Sequence, residues 1–66
     1  MKVNGQECPL AQEGMSLSAY LLKKGLNPEA VVVEKNGEVV KRTDFESARL
    51  FKNDILEILK FVGGGA

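Results

Sequence analysis

Short apolar runs broken by two Asn-Gly pairs set the rhythm of this chain. Met1 and Val3 flank Lys2, and Asn4-Gly5 follows at once in "VNGQE". Further along, "VVVEKNGEVV" sets Asn36-Gly37 between two valine-rich runs. Asn-Gly favours a two-residue type I′ turn, because both central positions take positive φ and these two residues tolerate it best. The second pair predicts a hairpin with arms at 31–35 and 38–40. The first predicts a smaller hairpin whose returning arm is "QECPLAQEG", with Pro9 marking an edge or irregular position.

Between the hairpins the period changes. In "SLSAYLLKKGLNP" Leu17, Tyr20 and Leu21 recur at i, i+3 and i+4, one apolar face of a helix. Ser16 is placed to cap its N-terminus by accepting from a free backbone N–H. Gly25 is placed to end it in the left-handed conformation, and Pro28 is expected to prevent a restart. The result is a helix of about ten residues, too short to stand without packing. "TDFESARLF" predicts a short helical turn capped by Thr43 or Asp44. "NDILEILKFV" supports two readings. Asp54, Glu57 and Lys60 recur every third residue behind an N-cap-like Asn53, which leans towards a helix. Ile55, Ile58, Phe61 and Val62 equally suit a strand with apolar groups on both faces.

Composition narrows the function. Sixty-six residues make one domain, which buries only about 60% of its unfolded surface and leaves little room for an enclosed cavity. Nine basic residues balance nine acidic ones, so the basic footprint of a nucleic-acid binder is missing. No apolar run approaches the ~20 residues of a membrane span. "MKVNGQE" lacks the apolar stretch of a secretion signal, so a cytoplasmic protein is expected. There is no His, and Cys8 is the single cysteine, which excludes an internal disulfide and a Cys/His metal set. Cys8 lies between Glu7 and Pro9, not beside the positive charge that makes a thiol reactive, and reads as a small apolar residue. Asp44, Glu46, Asp54 and Glu57 read as ordinary solvated carboxylates. The chain is expected not to be an enzyme by itself.

The order hairpin, helix, hairpin, turn, last strand and glycine tail resembles the ThiS family of sulfur carriers from thiamine biosynthesis. The matching pieces are "VNGQE", "EGMSLSAYLLKKGL", "VVVEKNGEVVKRTDFE" and "KNDILEILKFVGGG", which together cover essentially the whole chain. The resemblance implies an α+β, ubiquitin-like β-grasp fold: a small mixed sheet packed on one main helix, with the domain at residues 1–62 and a flexible tail at 63–66. It also assigns residues 55–62 to the final strand, against the lean of the periodicity. In that register Leu56 and Ile58 face the helix and join Leu17, Leu21, Val31 and Val33. Glu57, Leu59 and Phe61 take the opposite face, where exposed apolar residues make a partner-docking patch.

By the same resemblance, the carboxylate of the terminal glycine is adenylated by a ThiF-like adenylyltransferase using ATP. It then becomes a thiocarboxylate, and its sulfur passes to thiazole synthase. The chain binds no cofactor of its own, and ATP belongs to the partner. Gly63, Gly64 and Gly65 suit such a tail because they have no Cβ and can thread a narrow channel. The family's Gly-Gly pair falls on Gly64 and Gly65, so Ala66 departs from the pattern. Either Gly65 carries the sulfur after a trimming peptidase removes Ala66, or Ala66 carries it. A sulfur-donor protein is a further expected partner, with neither nucleic acid nor membrane, and a monomer when free. The alternatives are a MoaD-like or cysteine-type processed carrier, and a β-grasp interaction module with an inert tail.

Overall fold

The computed structural model describes residues 1–61; the expectations for Val62, Gly63, Gly64, Gly65 and Ala66 lie outside them. Five strands form one mixed sheet: β1 Lys2–Val3, β2 Gln6–Glu7, β3 Val31–Lys35, β4 Glu38–Val40 and β5 Ile55–Lys60. One helix, α1 Leu17–Lys23, packs on a single face. The strand order is β2-β1-β5-β3-β4, with β1 and β5 parallel at the centre and every other pair antiparallel. This is the β-grasp arrangement. No helix among the described residues is long and apolar enough to cross a membrane.

Both Asn-Gly turns form, with positive φ at Asn4 (53°), Gly5 (83°), Asn36 (54°) and Gly37 (87°). The returning arm of the first hairpin is much shorter than expected. Only Gln6 and Glu7 pair with β1, and the ladder ends with Cys8 N–H donating to Met1 O at 2.8 Å. The cause is that β1 offers only Lys2 and Val3 as strand partners. Pro9, with no N–H, follows as the chain leaves the sheet.

The helix spans seven residues, not ten. Ser16 Oγ accepts from Ala19 N–H at 3.0 Å, as its capping role requires. At the other end Gly25 N–H donates to Leu22 O and Leu26 N–H to Leu21 O, with Gly25 at φ 76°. This is the paired closure of a helix by a left-handed glycine. Pro28 departs from expectation: it opens a 3₁₀ turn, Pro28–Ala30, capped by Asn27 Oδ1 accepting from Glu29 N–H. Proline lacks only a donor that a first turn leaves unused, so a residue that cannot continue a helix is still suited to start a turn. A second 3₁₀ turn, Arg42–Asp44, has Lys41 at its cap and no side-chain bond from Thr43 or Asp44 there.

The core lies between α1 and the inner sheet face. Leu17, Leu21, Val33 and Leu56 are fully buried, and Val31 and Ile58 nearly so. Phe45 and Leu50 join them from the irregular segment between β4 and β5, and Met1 closes one side. That segment also satisfies the open end of the helix. Ala48 O accepts from Leu17 N–H and Phe45 O from Ser18 N–H, each at 2.9 Å, so with Ser16 Oγ the first three helical donors are all engaged.

Candidate partner-docking site

Strand β5 is held on both flanks, which makes it a firm base for whatever follows it. On one side it pairs with β3 from Val31↔Lys60 to Lys35↔Leu56. On the other it pairs in parallel with Lys2 and Val3. Where β1 ends, the Asn4 side chain takes over: its Oδ1 accepts from Ile58 N–H at 2.7 Å and its Nδ2 donates to Ile58 O at 3.1 Å. Asn36 does similar work at the strand's start, accepting from Ile55 N–H at 2.9 Å and donating to Asp54 Oδ1 at 3.0 Å. Phe61 N–H donates to Ala30 O at 3.1 Å, so the last described residue is still tied to the domain.

The alternation of β5 buries Leu56 and Ile58 and turns Glu57 and Leu59 outward, with Phe61 next in the same alternation. Leu59 is 69% exposed and Phe61 42%. Val32 lies directly opposite Leu59 on β3, and Val39 opposite Glu34 on β4; both are exposed, as is Ile55. The outer sheet face thus carries five exposed apolar side chains, where the sequence reading had singled out two. Val32 was legible as the middle of three valines, since period two turns it away from its neighbours. Ile55 follows from the same alternation of β5, whereas Val39 required the pairing.

Glu57 faces Glu34 across the β3–β5 pair, and among the described residues neither forms an ion pair. Like charges directly opposite on one sheet face repel, at a cost of a few tenths of a kcal/mol. The face is therefore apolar with an acidic centre.

The remaining reactive groups have structural surroundings. Glu7 pairs with the N-terminal ammonium at 3.3 Å. Asp54 accepts from Phe51 N–H at 2.8 Å besides its bond from Asn36. Cys8 is half-buried. Tyr20 is 97% buried, from 3% exposure, and its hydroxyl has no hydrogen-bond partner among the described residues. Burial, and secondarily the nearby Cys8, raise its phenol above the ordinary tyrosine range. No three His, Cys, Asp or Glu residues among those described are grouped to hold a metal ion.

Comparison with known proteins places this geometry. The ThiS family model matches residues 1–65. The chain is 28% identical to the sulfur carrier protein ThiS of Bacillus subtilis, over 98% of both chains. It is 38% identical over 55 residues to a thiazole synthase of Magnetococcus marinus, which covers 83% of this chain but spans only 17% of that protein's length. The crystal structure of a ThiS thiamine biosynthesis protein from Geobacter metallireducens superposes with a TM-score of 0.82 at 33% identity, covering 97% of this chain and 96% of that one.

Proposed function

The chain belongs to the ThiS family, and from that premise we propose that it carries sulfur for thiazole formation in thiamine biosynthesis without being a catalyst itself. The observation that carries the reading is the placement of β5. The strand is pinned by Asn4 and Asn36, presents an exposed apolar patch, and continues in sequence through Val62 into Gly63, Gly64 and Gly65. A rigid domain with a recognition face then offers a carboxylate on a tail without Cβ atoms.

In this reading a ThiF-like adenylyltransferase docks on the face around Glu57, Leu59 and Phe61 and draws the tail into its own site. A carboxylate is a poor electrophile, so an oxygen of the terminal carboxylate attacks the α-phosphorus of ATP, which releases pyrophosphate and forms an acyl-adenylate. Sulfide-level sulfur from a donor protein displaces AMP and leaves a thiocarboxylate. The reacting carboxylate belongs to Gly65 once a peptidase has removed Ala66, or to Ala66 itself. Thiazole synthase receives the sulfur. Support for that partner comes from the thiazole synthases of Magnetococcus marinus and Paramagnetospirillum magneticum, each of which contains a stretch similar to most of this chain. That these stretches belong to thiazole synthases associates a domain of this kind with that enzyme.

Incubating the protein with a ThiF-like enzyme, ATP and a sulfur donor is expected to add the mass of one oxygen-to-sulfur exchange at the C-terminus. Both the full chain and a form lacking Ala66 are assayed. Absence of the adduct on both refutes the proposal.

A further inference from the structure

The hydrogen bonds of β5 leave one backbone position open, and it is the one nearest the tail. Residues 54, 56 and 58 direct their backbone groups towards β1: Lys2 N–H donates to Asp54 O at 3.1 Å, Asn4 N–H to Leu56 O at 2.9 Å, and the Asn4 side chain serves both groups of Ile58. Residues 55 and 61 direct theirs to the opposite side, towards Asn36 and Ala30. The alternation of a strand therefore puts the N–H and C=O of Lys60 on the β1 side. There β1 has already turned away at Asn4-Gly5. Among the described residues, no partner serves either backbone group of Lys60.

A cleft of about 350 Å³ opens at the same place. Val3, Leu26 and Ile58 give it an apolar lining, Tyr20 an aromatic one, and Lys24 and Lys60 supply two ammonium groups. Lys24 Nζ sits 5.7 Å from the Tyr20 ring centroid. No acidic side chain lines the cleft, and neither lysine forms an ion pair among the described residues. An unpaired strand edge beside an apolar cleft is a template for an added strand, whose main chain bonds the edge while alternate side chains enter the cleft.

We infer that the open edge at Lys60 receives an extended segment of the sulfur-accepting partner, thiazole synthase, as an added strand bearing an acidic side chain opposite Lys24 and Lys60. The inference rests on the proposed function and goes further, naming a second contact on the helix side of the sheet, distinct from the outer apolar face. Each protein that takes the tail must approach the end of β5, and Lys60 is within two residues of Val62; the outer face is assigned to the adenylating partner, which leaves this edge to the sulfur acceptor. The Asn4 side-chain amide already occupies the preceding position of the missing strand, so an incoming segment extends a line of bonds that exists.

Residue-resolved hydrogen exchange on the full chain, alone and with purified thiazole synthase, tests this. In the free protein the Lys60 amide is expected to exchange rapidly while Phe61 is protected. In the complex Lys60 is expected to become protected. Lys60→Pro removes the donor without touching the β3 ladder, and is expected to weaken the complex about tenfold, as loss of an edge bond does. Lys60→Ala keeps the N–H and is expected to stay within about threefold, since an exposed charge contributes little. Protection of Lys60 in the free protein means that the chain's own tail fills the edge, and overturns the inference. A complex that forms with Lys60 still exchanging, and with Lys60→Pro harmless, overturns this inference alone and leaves the carrier function standing. If no complex forms, both fall.

Discussion

Replacing Asn4 with glycine isolates the contribution of one side chain to the strand that bears the tail. Glycine accepts the φ of 53° found at this position, so the turn survives and only the side-chain amide is lost. Two hydrogen bonds go with it, at 2.7 and 3.1 Å, both to Ile58 and both partly buried. At about 0.5–1.5 kcal/mol each, with the Ile58 groups left poorly solvated, the expected loss is about 2 kcal/mol. For a domain of this size that lowers Tm by about 10 °C. Asn4→Ala is expected to cost about 1 kcal/mol more, because alanine resists the left-handed region. Asn36→Gly is expected to cost less than Asn4→Gly, since the groups it releases are exposed and can turn to water. Urea titration of the three variants gives the energies, and faster exchange of the Ile58 amide in Asn4→Gly locates the effect. The reasoning is refuted if Asn4→Gly lies within about 0.5 kcal/mol of the parent, or if Asn4→Ala is no worse than Asn4→Gly.

Other substitutions separate packing from recognition. Leu50→Ala empties a fully buried site and is expected to cost about 2–5 kcal/mol, enough to leave much of so small a domain unfolded at 37 °C by circular dichroism. Leu59→Asp gives up the cross-strand pair with Val32 and adds a carboxylate beside Glu57, so it is expected to cost about 1 kcal/mol and leave the domain folded, yet to abolish capture by the adenylating partner in a pull-down. Glu57→Gln relieves the repulsion with Glu34 and is expected to stabilise by a few tenths of a kcal/mol at low salt, with the gain fading as ionic strength rises. Tyr20 has a folded-state pKa above its ordinary value of 10.0. Stability therefore holds below that pH and falls as pH rises through the raised value, where the unfolded chain ionises first. Tyr20→Phe is expected to remove that alkaline loss in a pH series of thermal melts, and to be nearly neutral at pH 7 because the hydroxyl has no partner.

Local chemistry made much of the architecture readable. The Asn-Gly turns, the Ser16 cap and the Gly25 stop each depend on a residue's own backbone preference, and each stands where the pattern placed it. The six core residues named from helical period and from the strand register that the resemblance implied are all buried. Pro28 was misread because its local rule has two sides: it is unsuited to a helix interior yet suited to begin a turn. Phe45 and Leu50 were missed because their segment has no period, so nothing short of the packed structure sets them apart from the exposed Phe51. On the candidate site, Glu57, Leu59 and Phe61 followed from the strand assignment, and Ile55 shares their alternation, whereas Val39 joined them only through its cross-strand neighbour.

The division has a physical basis. Turns, caps and helix stops are decided within four or five residues, where backbone sterics and one side-chain bond dominate, so the amino-acid order alone determines them. Whether residues 55–60 form helix or strand is not such a question, because their polar and apolar spacing serves both. Pairing with β3 over five residues and with β1 over two decides it, through hydrogen bonds to partners more than twenty residues away in sequence. Long-range contact likewise decides which apolar groups share the outer face, how the helix N-terminus is satisfied by Phe45 and Ala48, and that Lys60 keeps an open edge. Those features belong to the assembled fold, since each depends on contact between segments that the chain keeps apart.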